Sequence, residues 1–101
     1  MAFLHVVYFW VREGGTQEDA EKIAEGCRTY LTQVPGVTRF AVGHPAGTPR
    51  AVVDNTYGTV LVTEFADVAG HDVYQDHPLH LQFIAECKAH WSRVQVYDSI
   101  I

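Results

Sequence analysis

The residues best suited to chemistry lie in the heptapeptide Tyr74-Gln75-Asp76-His77-Pro78-Leu79-His80, which gathers a phenol, two imidazoles and a carboxylate around one proline. A tyrosine and a histidine sharing a half-buried apolar pocket can do general acid and base work on a carbonyl compound. The histidine draws the phenol proton while the phenol or phenolate acts on the substrate. Tyr74 and His80 are the catalytic candidates on this reading. His5, which projects from an apolar N-terminal segment, can reach the same space. Each has an ordinary alternative: Tyr74 packing its ring with the hydroxyl in solvent, His80 bonding a backbone carbonyl, His5 a satisfied core histidine. Metal ligation is the rival chemistry, because His77 and His80 are three apart and Asp76 adjoins them. Pro78 turns His77 off the inward stripe, however, and no third ligand with helical spacing is present, so no metal site is expected. No glycine-rich phosphate loop, nucleophilic serine motif or reactive cysteine pair appears, and no cofactor is expected.

These residues need elements to hold them. Phe3 to Val11 is apolar at nearly every position and rich in β-branched and aromatic residues, which predicts a strand buried on both faces. Phe3, His5, Val7 and Phe9 share one face, and Leu4, Val6, Tyr8 and Trp10 the other. Thr16 and Asp19 have capping-box spacing, and Ala20, Ile23, Ala24, Cys27, Leu31 and Val34 follow on one helical stripe. Pro35-Gly36 stops that helix before a second strand, Val37 to Val42. Gly43 to Thr56 is a long connection of the kind that often forms lids or binding loops. A third strand is expected over Tyr57 to Phe65 and a short helix from an Asp67 cap to about Gln75. His77-Pro78 then breaks the chain, because proline disfavours helix in the residue before it and suits the first turn of a new one. The last helix is expected to reach Trp91, with His80, Phe83, Ile84 and Cys87 facing inward, followed by a strand over Val94 to Asp98.

Strand, helix, strand, strand, helix pair, strand is the split βαβ order of an α+β, ferredoxin-like sheet. Helices cover one face of such a sheet. Because the first strand is apolar on both faces, the other face needs an apolar partner, and a homodimer pairing those open faces supplies one.

The 101 residues suit one domain, residues 1–101, with apolar residues at 48% and charged residues at 19%. A formal charge of -5, with seven scattered Lys and Arg, argues against nucleic acid and anionic membrane as partners. The apolar N-terminal run lacks a basic leader and is too short to span a bilayer, so a cytoplasmic location is expected. Cys27 and Cys87 fall on helical stripes and read as buried, reduced thiols.

The opening FLHVVYFW with His5, the helix exit VPGV, the Tyr-x-x-His-Pro-x-His motif and the ending WSRVQVYDS together resemble the stress-responsive α/β-barrel domain family, Dabb, in order and spacing over nearly the whole chain. The resemblance implies a ferredoxin-like subunit that pairs with a second copy into a dimeric α/β barrel. The family includes a plant polyketide cyclase that performs a cofactor-free intramolecular aldol condensation with a tyrosine and a histidine of this motif. By position these are Tyr74 and His80, with His5 matching a further pocket histidine. Thr59 stands where the cyclase has another pocket histidine. His5, Thr59 and His77 are therefore expected to contact a small, mostly apolar carbonyl or aromatic ligand. Two other functions fit the same residues: a non-catalytic stress-response or ligand-carrier dimer, and a monooxygenase like those of related dimeric barrels.

Overall fold

A computed structural model describes residues 1–101. Its elements are β1 (Phe3–Val11), α1 (Gln17–Tyr30), β2 (Val37–Gly43), β3 (Thr59–Phe65), α2 (Val68–Asp76), α3 (Pro78–Cys87) and β4 (Trp91–Ile100). Single 3₁₀ turns, Leu31–Gln33 and Lys88–His90, follow α1 and α3. The sheet order is β2-β3-β1-β4 with every pairing antiparallel, the ferredoxin-like arrangement. No helix is long and apolar enough to cross a membrane.

β1 is paired on both sides, and its register sets the rest. His5 lies opposite Thr63 of β3 and opposite Asp98 of β4. Phe3, His5, Val7 and Phe9 are buried beneath the helices, while Leu4, Val6, Tyr8 and Trp10 are only half-buried on the open face. α1 starts as expected. Thr16 and Asp19 form the capping box, and Asp19 also accepts from Arg12 Nε and His90 Nδ1, each at 2.9 Å. One carboxylate thus ties the start of α1 to the end of β1 and to the turn before β4. Those donors, His90 foremost, hold its carboxyl well below the usual range.

Several element boundaries differ from the sequence expectation, beginning with α1, which ends at Tyr30 and gives way to the 3₁₀ turn Leu31–Gln33 before Pro35-Gly36. β3 begins at Thr59 rather than Tyr57, and Tyr57 instead packs edge-on to Tyr8 on the open face, ring centroids 4.9 Å apart. Trp91 opens β4 instead of ending the last helix. It pairs with Val11 and packs against Phe9 at 4.8 Å, so the ladder to β1 prevails over its helical spacing from Cys87. That ladder also lengthens β4 to Ile100. The long connection after β2 runs along the open face, where Trp10 Nε1 donates to Thr56 Oγ1 at 2.9 Å. It does not cover the space between sheet and helices.

Helix α1 crosses α3 at Gly26. A Cβ there would run into Cys87 Sγ and come within 3.3 Å of Phe83. Both cysteines are buried free thiols, and burial pushes both thiol pKa values up, so they pack as small hydrophobes. Gly26→Ala is expected to destabilise the fold by about 1–3 kcal/mol through overpacking. Cys87→Ala should recover part of that loss in the double variant, and urea melts of the four-member cycle measure the coupling.

Candidate small-molecule site between sheet and helices

The break at His77-Pro78 builds the site. His77 has extended backbone (φ -66°, ψ 138°) and caps two helices at once: its N–H donates to Tyr74 O, and its Nδ1 accepts from Leu79 N at 3.1 Å. Pro78 fills the first helical position, where its missing N–H costs nothing. The chain turns between the last residues of α2 and the first of α3, and this brings the rings of Tyr74 and His80 to 4.8 Å.

Both rings border a cavity of about 210 Å³ floored by β1 and roofed by α2 and α3. Its wall is mainly apolar, with Val7, Phe9, Leu61, Phe83 and Trp91 around the polar groups of His5, Tyr74, Gln75 and His80. The cavity reaches the β4 edge, where Val94 and Val96 are 39% and 40% exposed. Of the residues that line it, Tyr74 and His80 each carry a buried polar atom, Oη and Nδ1, without any hydrogen-bond partner. Burial pushes the Tyr74 phenol far up, so it stays protonated and acts as a donor. Burial also lowers the His80 pKa, with an interaction at the Gln75 backbone partly offsetting it. Burial, the main cause, favours the neutral imidazole that general-base work requires.

His5 lies at one end of the cavity, its ring 6.0 Å from Tyr74. Its Nδ1 donates to Asp98 Oδ1 at 2.6 Å, which fixes the tautomer and leaves Nε2 as an acceptor. Burial lowers its pKa, against the raising effect of Asp98. His71, absent from the sequence expectation, completes an aromatic cluster: it stacks on Phe3 at 4.5 Å and lies 4.7 Å from His5. Its spacing from Tyr74, three residues along α2, is the one signal that could have flagged it. Nothing in the sequence marks Asp98, which only the β1–β4 register brings to His5.

Two residues expected to contact a ligand do not line the cavity. Thr59 is fully buried and donates its hydroxyl to Ala20 O at 2.7 Å, tying β3 to α1 away from the cavity. His77 does not line the cavity either, because its Nδ1 is spent on the cap of α3. The structure brings together His5, Tyr74 and His80, and adds Gln75 and Trp91 to the wall.

The four-stranded antiparallel sheet with helices on one face defines the class: a small α+β domain of ferredoxin-like fold with a mainly apolar cavity between sheet and helices. Residues 3–101 match the model of the stress responsive A/B barrel domain, and the chain belongs to this Dabb family. No curated protein matches it in sequence. Among solved structures, it is similar to a dimeric ferredoxin-like protein of unknown function from Thermobifida fusca (TM-score 0.82, 19% identity, 100% of this chain and 92% of that one). A Dabb protein with a ferredoxin-like fold from Mesorhizobium loti gives 0.78 at 22% identity over 99% and 96% of the two chains. The hydroxynitrile lyase from Passiflora edulis gives 0.78 at 18% identity over 99% and 93%. At these identities the likeness is one of fold.

The lowered pKa values of His5 and His80 set a pH dependence. Unfolded histidine titrates near 6.5 on average, above both folded rings. The unfolded chain therefore takes up protons first, and stability falls as pH drops below about 6.5. NMR titration of the His80 ring is expected to give a midpoint below about 6.5. Melting temperatures should decline from pH 6.5 towards pH 5, less steeply in His80→Gln than in the wild type.

Proposed function

We propose that this Dabb protein binds a compact, mostly apolar carbonyl or aromatic compound in the cavity between β1 and the α2–α3 pair, and acts on it by acid and base chemistry without a cofactor. The observation that carries this reading is the pair of buried, unpartnered polar atoms, Tyr74 Oη and His80 Nδ1, on one apolar cavity. An unsatisfied buried polar group costs about 1–3 kcal/mol, and a ligand carbonyl or hydroxyl would relieve that cost. The volume of about 210 Å³ falls below the roughly 300–1,000 Å³ typical of drug-sized ligands and suits a compact molecule.

In this reading the Tyr74 phenol donates to the substrate oxygen and stabilises negative charge as it develops there. Neutral His80 removes a proton from the carbon next to that carbonyl, and the apolar wall excludes water. Such proton abstraction is the first step of an aldol-type cyclisation. A lyase among proteins of this fold supports the view that the fold can carry such catalysis.

The active form is a homodimer paired through the open sheet face. A sheet of four strands cannot close, whereas two of them face to face supply the roughly eight strands of a small barrel, which agrees with the family's description as an A/B barrel. Leu4, Val6, Tyr8 and Trp10 give that face its apolar centre, Arg93 lies 4.1 Å over the Trp10 ring, and Tyr97 is 60% exposed. Neighbours of the same fold are described as dimeric.

Tyr74→Phe is expected to keep the melting temperature and hold ligand affinity within about tenfold while abolishing most turnover, because it removes one hydroxyl and almost no packing. His80→Ala should impair both. A ligand that binds both variants as it binds the wild type and returns unchanged would favour a carrier. Sedimentation should show a wild-type dimer at micromolar concentration and monomer or aggregate for Val6→Asp. A monomeric wild type would refute the paired-sheet assembly.

A further inference from the structure

We infer that His5, His71 and Asp98 form a binding site for a divalent first-row transition-metal ion, with Zn²⁺ the best match. Each residue offers one ligand atom, and the three atoms lie within 4.8 Å of one another. Ligand atoms around a tetrahedral ion bound at about 2.0–2.2 Å sit roughly 3.3–3.6 Å apart, so the cluster closes on a cation with modest side-chain rotation. Asp98 can supply that movement, because its side chain is 40% exposed on an edge strand.

The three ligands come from three elements with fixed positions. His5 and Asp98 face each other in the β1–β4 ladder, and α2 lays His71 over them, its ring 4.7 Å from that of His5. Two imidazoles and one carboxylate are a donor set typical of catalytic zinc and of non-haem divalent iron, with coordination positions left open. A bound ion would take the place of the His5–Asp98 hydrogen bond, with His5 ligating through Nδ1 and its ring proton on Nε2, and Asp98 offsets part of the ion's charge. The His5–Asp98 hydrogen bond alone accounts for two members of the cluster, but not for the approach of His71. His5 also belongs to the cavity wall, so a bound ion would sit at the cavity's end.

The site is independent of whether any organic ligand occupies the cavity, and its test is direct binding. Protein stripped with chelator is titrated with Zn²⁺ by calorimetry and with Co²⁺ by visible absorption, where low-coordinate Co²⁺ bound to nitrogen and oxygen gives strong d–d bands. One equivalent per chain is expected. His71→Ala and Asp98→Asn should each weaken it by about tenfold or more. His77→Ala, outside the cluster, and Tyr74→Phe, in the cavity, should leave metal affinity unchanged. Because His5 is a core residue, the two other ligands carry the test, with circular dichroism confirming that both variants fold. Absence of stoichiometric uptake, or uptake indifferent to His71→Ala and Asp98→Asn, would overturn the proposal and leave a hydrogen-bonded pair beside a packing histidine.

Discussion

Everything in this molecule depends on β1 being hydrogen-bonded along both edges. A strand apolar on both faces can persist only if both faces are covered and both edges paired. β3 and β4 supply the edges, and the helices cover one face. The same ladder that satisfies the backbone sets which side chains meet. Opposite His5 it places Thr63, whose hydroxyl donates to His5 O at 3.2 Å, and Asp98, which accepts from the ring. A shift of one residue would turn every side chain to the other face and dissolve the His5–Asp98 pair.

The helical layer is organised around a discontinuity. A continuous helix in place of α2 and α3 would carry Tyr74 and His80 six residues apart, well round the axis from each other. The proline break resets the helical phase, so both rings border one cavity. Stability is given up there: a phenol and an imidazole nitrogen stay unpaired in an apolar wall. Elsewhere the buried polar groups are well served, as Asp19 with three donors and Thr59 with the Ala20 carbonyl show. Both unsatisfied groups belong to residues that line one cavity, and the proposed ligand site rests on that coincidence.

Most of the architecture was legible because it rests on local signals. The capping box at Thr16, the stop at Pro35-Gly36 and the break at His77-Pro78 fall where the residues indicated. The pairing of Tyr74 with His80 was legible for the same reason, as both flank one proline. What was not legible depends on distant strands. Trp91 fits the helical stripe of α3 by spacing, and only its pairing with Val11 makes it a strand residue. Asp98 lies 93 positions from His5, and no pattern in the chain connects them. Thr59 and His77 lie off the cavity wall because the polar group of each is already engaged, one by a helix carbonyl and the other by a cap. A position matched to a relative does not reveal that prior claim.

The central claim is that the cavity under α2 and α3 receives a carbonyl compound through Tyr74 and His80. Heteronuclear NMR of protein isotopically labelled in its histidine, tyrosine and tryptophan rings, titrated with a compact aromatic ketone such as acetophenone and its ring-substituted analogues, tests it most directly. The account predicts saturable shifts of the His80 ring nitrogens and of the Tyr74 ring, with those of His44 and His90 unmoved. Binding that shifts only residues of the open sheet face, such as Tyr8 and Trp10, or saturable binding that leaves the His80 and Tyr74 rings unchanged, would contradict it.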